Sequence, residues 1–333
     1  MRKTSTRASC LAIAIALLCV VPVSGAFAGE LEPSGKAIMD EWDARNQLVD
    51  EVTEGVTHVY KKFRMLGRNV NMDEKRRTTT WTRRYGKNNL ASVLRYHSPE
   101  DLKDLSVLSF KDTGYASKYV VWQWDPEKKP RGQLKQMVGP LSLDSKTNSF
   151  AGTDFTFEDL EPEDLDSCVY RHVKDEKLKH PHDPSLSGTD CYVVEAYKKP
   201  GFGKTGYAKR VLWIDKKRYI AIKGTFYDRR TGDLIKTLWS WKLNEIQPKI
   251  WRADASEMRW HNGKTWTRMT VSKRTPNPGI PRWFFQPQIL KITDEEGGKL
   301  IREMWGVWHR VEKLRAEKEA LAKELAALKG AKK

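Results

Sequence analysis

The chain has 333 residues and a formal charge of +17, from 60 Lys and Arg against 43 Asp and Glu. The basic residues alternate with acids, as in KDEKLKHPHD, which argues against nucleic acid as a partner. What remains is a basic surface that is either simply solvated or able to meet anionic lipid.

Residues 1–28 read as an export signal. Arg2, Lys3 and Arg7 form a basic start, Cys10 to Val23 an apolar run too short for a membrane span, and Ala26-Phe27-Ala28 a cleavage site that leaves Gly29 first. Cleavage after Ala28 leaves a mature charge of +14 and removes Cys10 and Cys19. The remaining pair, Cys168 and Cys191, is expected to form one disulfide in an oxidising compartment. In the chain-entropy model such a bond stabilises by about 3 kcal/mol.

The spacing of Ala37, Ile38, Glu41, Trp42 and Arg45 predicts a helix over Ser34–Leu48, capped by Ser34. Strand patterns then dominate to about residue 290. TTTWTRRY, SVLRYHS, LSVLSFK, KYVVWQWD, DFTFEDL, CYVVEAY, RVLWID, RYIAIKGTFYD, IKTLWSWKL and TWTRMTVSK are short, rich in Thr, Val, Tyr and Trp, and divided by turn residues. About ten strands after one helix predict a strongly curved or partly closed antiparallel sheet with helical pieces on one face.

Several stretches resemble chemical motifs. In NSFAGTDFTFEDL, a regular strand puts Asp154, Thr156 and Glu158 on one face and Phe155, Phe157 and Asp159 on the other. The acids then diverge, and Asp159 is expected to cap a turn. HPHD, from His180, lies in a Pro-flanked loop with no third His or Cys nearby, so a metal site is not expected. GFGKTG, from Gly201, has Lys198 where a phosphate-binding loop needs its first Gly, and reads as a hairpin turn. No G-x-S-x-G elbow is present. No catalytic, metal or cofactor set is therefore expected. Three pairs, Trp122 with Trp124, Phe155 with Phe157 and Trp239 with Trp241, each put two aromatic rings on one strand face. They suit either a packed core or a cavity for an apolar ligand.

From Gly297 onward the pattern changes. Leu300, Met304, Val307, Val311, Leu314, Lys318, Leu321, Leu325 and Leu328 follow a four-three spacing, which predicts a heptad-like helix over 293–333. Its second half, with Leu314, Leu321, Leu325 and Leu328, is expected to pair with another helix, either its own copy or a transporter's.

The segments HSPEDLKDLSVLSF, SFAGTDFTFEDL, CYVVEAY, VLWIDKKRYIAIKGTFYDRRTGDLIKT and TWTRMTVSKRTPNPGIPRWFFQPQIL, in this order, resemble the outer-membrane lipoprotein-sorting family, the LolA/LolB-like superfamily. The similarity is to the branch associated with permeases of the resistance-nodulation-division type. It spans roughly residues 35–292 within a domain of 29–292. The resemblance implies an unclosed antiparallel β-barrel plugged by helices, non-enzymatic, binding acyl chains of a lipid or lipoprotein in the periplasm. It also implies an inner-membrane permease as partner. On that expectation Trp122, Trp124, Phe155, Phe157, Trp239 and Trp241 line the apolar space, and Ile38 and Trp42 of the first helix close it. A non-carrying docking protein with a filled core is the alternative.

Overall fold

The computed structural model describes residues 32–45, 47–65, 68–86, 89–112, 118–127, 132–138, 146–261 and 263–292, with Arg310, Leu314, Glu317, Lys318, Ala320 and Leu321 beyond them. The export signal, its cleavage site, Leu325 and Leu328 lie outside the described residues. The elements belong to one compact unit, Pro33–Lys333.

Helix α1 spans Gly35–Ala44, with the Ser34 hydroxyl accepting the Ala37 N–H at 3.2 Å as its N-cap. It ends earlier than predicted because the chain must turn into the sheet: Val49 and Asp50 donate their N–H groups to the Asn277 side chain. Gly35 matters for its seat. A Cβ there would lie 2.7 Å from the backbone nitrogens of Arg171 and His172, so only glycine lets the helix start flush on the strand below.

Thirteen strands form a single antiparallel sheet: β1 Asp50–Met65, β2 Arg68–Tyr85, β3 Asn89–Ser98, β4 Ser106–Asp112, β5 Lys118–Asp125, β6 Gln133–Val138, β7 Cys168–Leu178, β8 Thr189–Lys198, β9 Tyr207–Asp215, β10 Ala221–Asp228, β11 Leu234–Gln247, β12 Ile250–Trp260 and β13 Thr265–Pro276. Their order is β6-β5-β4-β3-β2-β1-β13-β12-β11-β10-β9-β8-β7, so the sheet does not close and β6 and β7 are its edges. The join of β1 to β13 makes two meanders into one sheet.

Alternation gives the sheet two faces. On one, here the outer face, Val52, Trp81, Val93, Leu108 and Trp122 form a cross-strand row from β1 to β5. They pack under Ile280, Phe284, Ile289 and Leu290 of the segment that follows β13. Further along this face the 179–188 loop lays His180 and His182 against Trp239 and Trp241. On the inner face, Ile38 and Met39 of α1 pack with Tyr170, Val194 and Ala196. The 146–163 segment covers the middle of that face, with Phe150 and Phe157 on Val107 and Val121, and Phe155 on Phe226 and Met258.

DFTFEDL is not a strand. Residues 150–161 are turns, with one isolated bridge between Ser149 and Thr156, and Phe155 and Phe157 enter different clusters. Four strands the sequence concealed are β1, β6, β7 and β12. β7, CVYRHVKDEKL, is an edge strand, and charge on an edge discourages pairing with other chains.

The expected Cys168–Cys191 disulfide is absent, and both thiols are free and buried. In the β7–β8 register Cys191 faces Glu176, eight residues along β7 from Cys168. At about 3.3 Å per residue that is a separation on the order of 25 Å, far beyond a disulfide's reach of about 7 Å. Burial, with the nearby Asp215, Glu176 and Asp190 carboxylates, also pushes the Cys191 thiol up to about 12. Mature protein denatured without reductant should therefore titrate with two thiols, and reductant should leave its melting temperature unchanged. One disulfide by thiol count would contradict this register.

Candidate functional site

The 146–163 segment is held to the inner face chiefly by its acids. A tight turn starts it: Ala151 (φ 48°) and Gly152 (φ 72°) take left-handed conformations, and the Thr153 hydroxyl donates to the Phe150 carbonyl at 2.6 Å. The acids beyond this turn then reach separate strands. Asp154 accepts hydroxyl hydrogen bonds from Thr265 and, at 2.7 Å, from Thr267, both of β13. Glu158 accepts from the Thr205 hydroxyl and, at 2.8 Å, the Gly206 N–H in the β8–β9 turn. Asp159 pairs with Lys236 of β11 and accepts from Tyr207 at 2.7 Å. Glu161 holds Lys111 of β4 at 3.1 Å and Lys146 at 2.7 Å. Glu163 takes both Arg210 nitrogens of β9 at 2.7 and 2.8 Å, and the Tyr170 hydroxyl of β7 at 2.5 Å. Arg76 of β2 donates to the Ala151 carbonyl at 2.5 Å.

Lys236 and Asp159 side chains are 0% and 2% exposed, and Lys111 is 1% exposed. Such groups are tolerable in a low-dielectric interior only as pairs. Burial would raise the Glu163 carboxyl, but the Arg210 charge and the Arg210 and Tyr170 hydrogen bonds outweigh it and hold that carboxyl at about 2. Glu161 is likewise lowered: burial opposes, and Lys111 with Lys146 prevails. Asp154 and Glu158 have hydroxyl and N–H partners rather than directly paired cations, and burial raises both. Burial also lowers Lys236 despite Asp159. The three acids singled out in the sequence thus diverge to three different anchors instead of converging on one reacting atom. Asp159 does cap a turn, accepting the Thr156 N–H at 2.7 Å.

Beside this clamp is a cavity of about 120 Å³. It lies between the inner face of β1, β2, β3 and β13 and the start of the plug, lined by Gly55, Thr80, Leu94, Tyr96, Phe150 and Met269 among others. Its lining is uncharged. A Cβ on Gly55 would stand 2.5 Å from the Thr270 carbonyl oxygen, so glycine there permits the local strand approach at a register shift.

The predicted ligand residues do not share this space. Trp122 and Trp124 are on the outer face under the post-β13 segment, and Trp239 and Trp241 are on that face under the histidine loop. Ile38 and Trp42 sit with β7–β9. Phe155 packs toward β10 and β12. Phe157 comes nearest, edge-on to the cavity-lining Phe150 with ring centres 5.4 Å apart. Leu314 and Leu321 are helical and exposed by 63% and 65%. Sequence reasoning missed Lys111, Arg210 and Lys236. Their signal was available in part: Val107, Ser109 and Lys111 alternate onto one face, which places a cation beside a buried valine.

A family model described as "Uncharacterized protein" matches residues 88–292. The chain belongs to that family. Its fold is LolA-like. It is similar to an outer membrane lipoprotein-sorting protein domain, provisionally so named, from Vibrio parahaemolyticus, with 25% identity over 77% of this chain and 98% of that one and a TM-score of 0.65. A DUF1329 family protein from Desulfovibrio piger matches with 21% identity over 77% and 97% of the two chains, TM-score 0.65. A LolA superfamily protein from Nitrosomonas europaea matches with 15% identity over 76% and 98%, TM-score 0.52. No curated protein matches. These relatives are covered almost end to end.

Glu163→Gln would leave the half-buried Arg210 without its counter-charge. At pH 7 this variant should lose about 1–3 kcal/mol, because solvent reaches part of the Arg210 side chain. The sign with pH follows from the lowered carboxyl: its stabilisation is full above the unfolded carboxylate range and is lost as pH falls through about 2. Acid titration of stability should therefore be flatter for Glu163→Gln than for wild type between about pH 4.5 and 2. Equal acid slopes would remove Glu163 from the clamp.

Proposed function

We propose that the protein is a periplasmic carrier that takes acyl chains of a lipid or lipoprotein from an inner-membrane transporter and hands them on between membranes. The observation that carries this reading is an uncharged cavity on the inner face of a LolA-like sheet, in a chain similar over 77% of its length to a domain named for outer-membrane lipoprotein sorting. The basic start, short apolar run and Ala26-Phe27-Ala28 site favour export with cleavage after Ala28. Among the described residues no helix is long and apolar enough to cross a membrane.

At about 120 Å³ the cavity is smaller than the roughly 300–1,000 Å³ usual for ligand sites. Binding a chain therefore requires the plug to shift, with Phe150 and Phe157 moving together. Each methylene then buried returns about 0.8 kcal/mol. Trp122, Trp124, Trp239 and Trp241 act in this reading as the packed support of the sheet, while Ile38 and Trp42 cover the inner face over β7–β9 and Phe155 covers it over β10 and β12. The test is lipid extraction and mass spectrometry of purified protein, with a fluorescent fatty acid as probe. Leu94→Trp should fill the cavity and abolish probe binding with the melting temperature kept. Trp122→Ala should instead cost about 3 kcal/mol of stability and leave probe affinity nearly unchanged. Wild-type protein that holds no lipid and binds no probe would exclude the carrier.

A second reading is favoured by the small cavity and the ion-paired plug: a filled domain that docks an export permease. Both readings use the C-terminal segment, in which Leu314 and Leu321, with Leu325 and Leu328, form a seam for another helix. Chain ending after Ile292 should stay folded and keep lipid binding, while losing self-association in sedimentation and capture of membrane partners. An unfolded truncation would make the segment part of the core instead.

A further inference from the structure

The β1–β2 hairpin is much longer than its neighbours require. β13 pairs with β1 only as far as Lys61, opposite Thr265, and β3 pairs with β2 only from Arg77, opposite Ser98. Residues 68–76 of β2 therefore have no ladder partner on the β3 side. Residues 72–76 still pair with the part of β1 that β13 holds, so the hairpin stands clear of both neighbours over about four residues per strand, 62–65 and 68–71, roughly 13 Å.

Its composition is equally distinct. Residues 60–77 hold seven Lys and Arg against two acids. Both acids are engaged within the hairpin: Asp73 contacts His58, and Glu74 holds Arg76 at 2.6 Å. Among the described residues Lys62, Arg68 and Lys75 have no acidic partner, and all three are exposed. Between these cations are apolar positions. Val70 and Met72 are half-buried on one face of β2, and the register sets Phe63 opposite Val70. At the root of the overhang Tyr60 stacks on Trp266, ring centres 5.3 Å apart, on the outer face, and the Lys62 N–H donates at 2.7 Å to the carbonyl of Lys264 in the adjoining β12–β13 turn.

We propose that this hairpin is a membrane-docking finger whose partner is an anionic bilayer surface. The unpaired cations supply attraction to headgroups. Val70 and Met72 give apolar area to the headgroup–acyl boundary, and the Tyr60–Trp266 stack is of the residue types that favour the interface level. A hairpin can enter only that boundary, because its open edges carry backbone groups that need water or headgroups as partners. The proposal does not rest on any cargo: a docking protein that carries nothing would use the same finger.

The experiment is co-sedimentation of the full mature chain with vesicles containing phosphatidylglycerol and with vesicles of phosphatidylcholine alone. Wild type binds the former, less so as salt rises, and binds the latter weakly. Reversing Lys62, Arg68 and Lys75 to Glu lowers partitioning about 100-fold, about fivefold or more per charge. Reversing Lys177, Lys179 and Lys217, exposed elsewhere, leaves it within about threefold of wild type. Both variants keep the wild-type melting temperature, because the changed residues are exposed. An environment-sensitive dye on Val70→Cys shifts to the blue on phosphatidylglycerol vesicles, and a dye on Lys217→Cys does not. The proposal is overturned if wild type fails to prefer the anionic vesicles, if the two triple variants lose binding equally, or if the dye at position 70 does not shift.

Discussion

The open sheet depends on the acids of one irregular segment. A 13-stranded sheet with free edges at β6 and β7 has no closing seam to hold its halves in one relation. The 146–163 segment supplies the cross-link. Glu161 ties it to β4, Asp154 to β13, Asp159 to β11 and Glu163 to β9 and β7, while Arg76 of β2 holds its first turn. These are ties across the sheet, not along one strand, so each limits relative movement of strands far apart in sequence. Lys111 and Lys236, fully buried, have no other way to be satisfied inside the fold.

The same clamp divides the inner face. Lys111, Arg210 and Lys236 put charge on the inner face of β4 and β9–β11, where the acids of the plug meet it. The region over β1–β3 and β13 has threonines, Leu94, Tyr96 and Met269, with no charge on the cavity wall. Burial raises the Tyr96 phenol to about 12, so it remains neutral there, with the Arg76 charge only moderating the shift. The outer face, closed by the post-β13 segment and the histidine loop, gives the sheet rigidity from its other side.

Much of this architecture was legible. Nine of the ten anticipated strands fall on real ones, and the Ser34 cap, the antiparallel topology and the turn at GFGKTG follow from local patterns. The errors have a common cause. DFTFEDL alternates as a strand does, yet Phe155 and Phe157 are drawn into separate clusters and the acids are consumed by distant cations. Alternation measures a local period and carries no record of which side chains are paired across 50 or more residues, as Asp159 and Lys236 are. β7 and β12 were hidden by their charges, which on an edge or a half-exposed strand oppose recognition by hydrophobic pattern. The disulfide failed because a cysteine count gives parity and not register. The Trp pairs were rightly placed on single strand faces, but period alone does not say which face a given strand turns toward the plug.

Plug chemistry bears on how such a domain opens. An apolar plug that lifts exposes greasy surface on both partners. A plug held by Asp159–Lys236, Glu161–Lys111 and Glu163–Arg210 instead releases ions, whose hydration offsets most of the interaction lost. The cost of opening is then concentrated in Phe150, Phe155 and Phe157. If the domain carries acyl chains as proposed, those rings are the part of the plug that an incoming chain would replace, methylene for ring surface, on Val107, Val121 and Leu94. Ionic ties thus set where the segment returns, and apolar exchange sets whether it leaves. Under that proposal a small cavity is what a carrier without cargo would show, its ligand entering by substitution and not by filling an empty space.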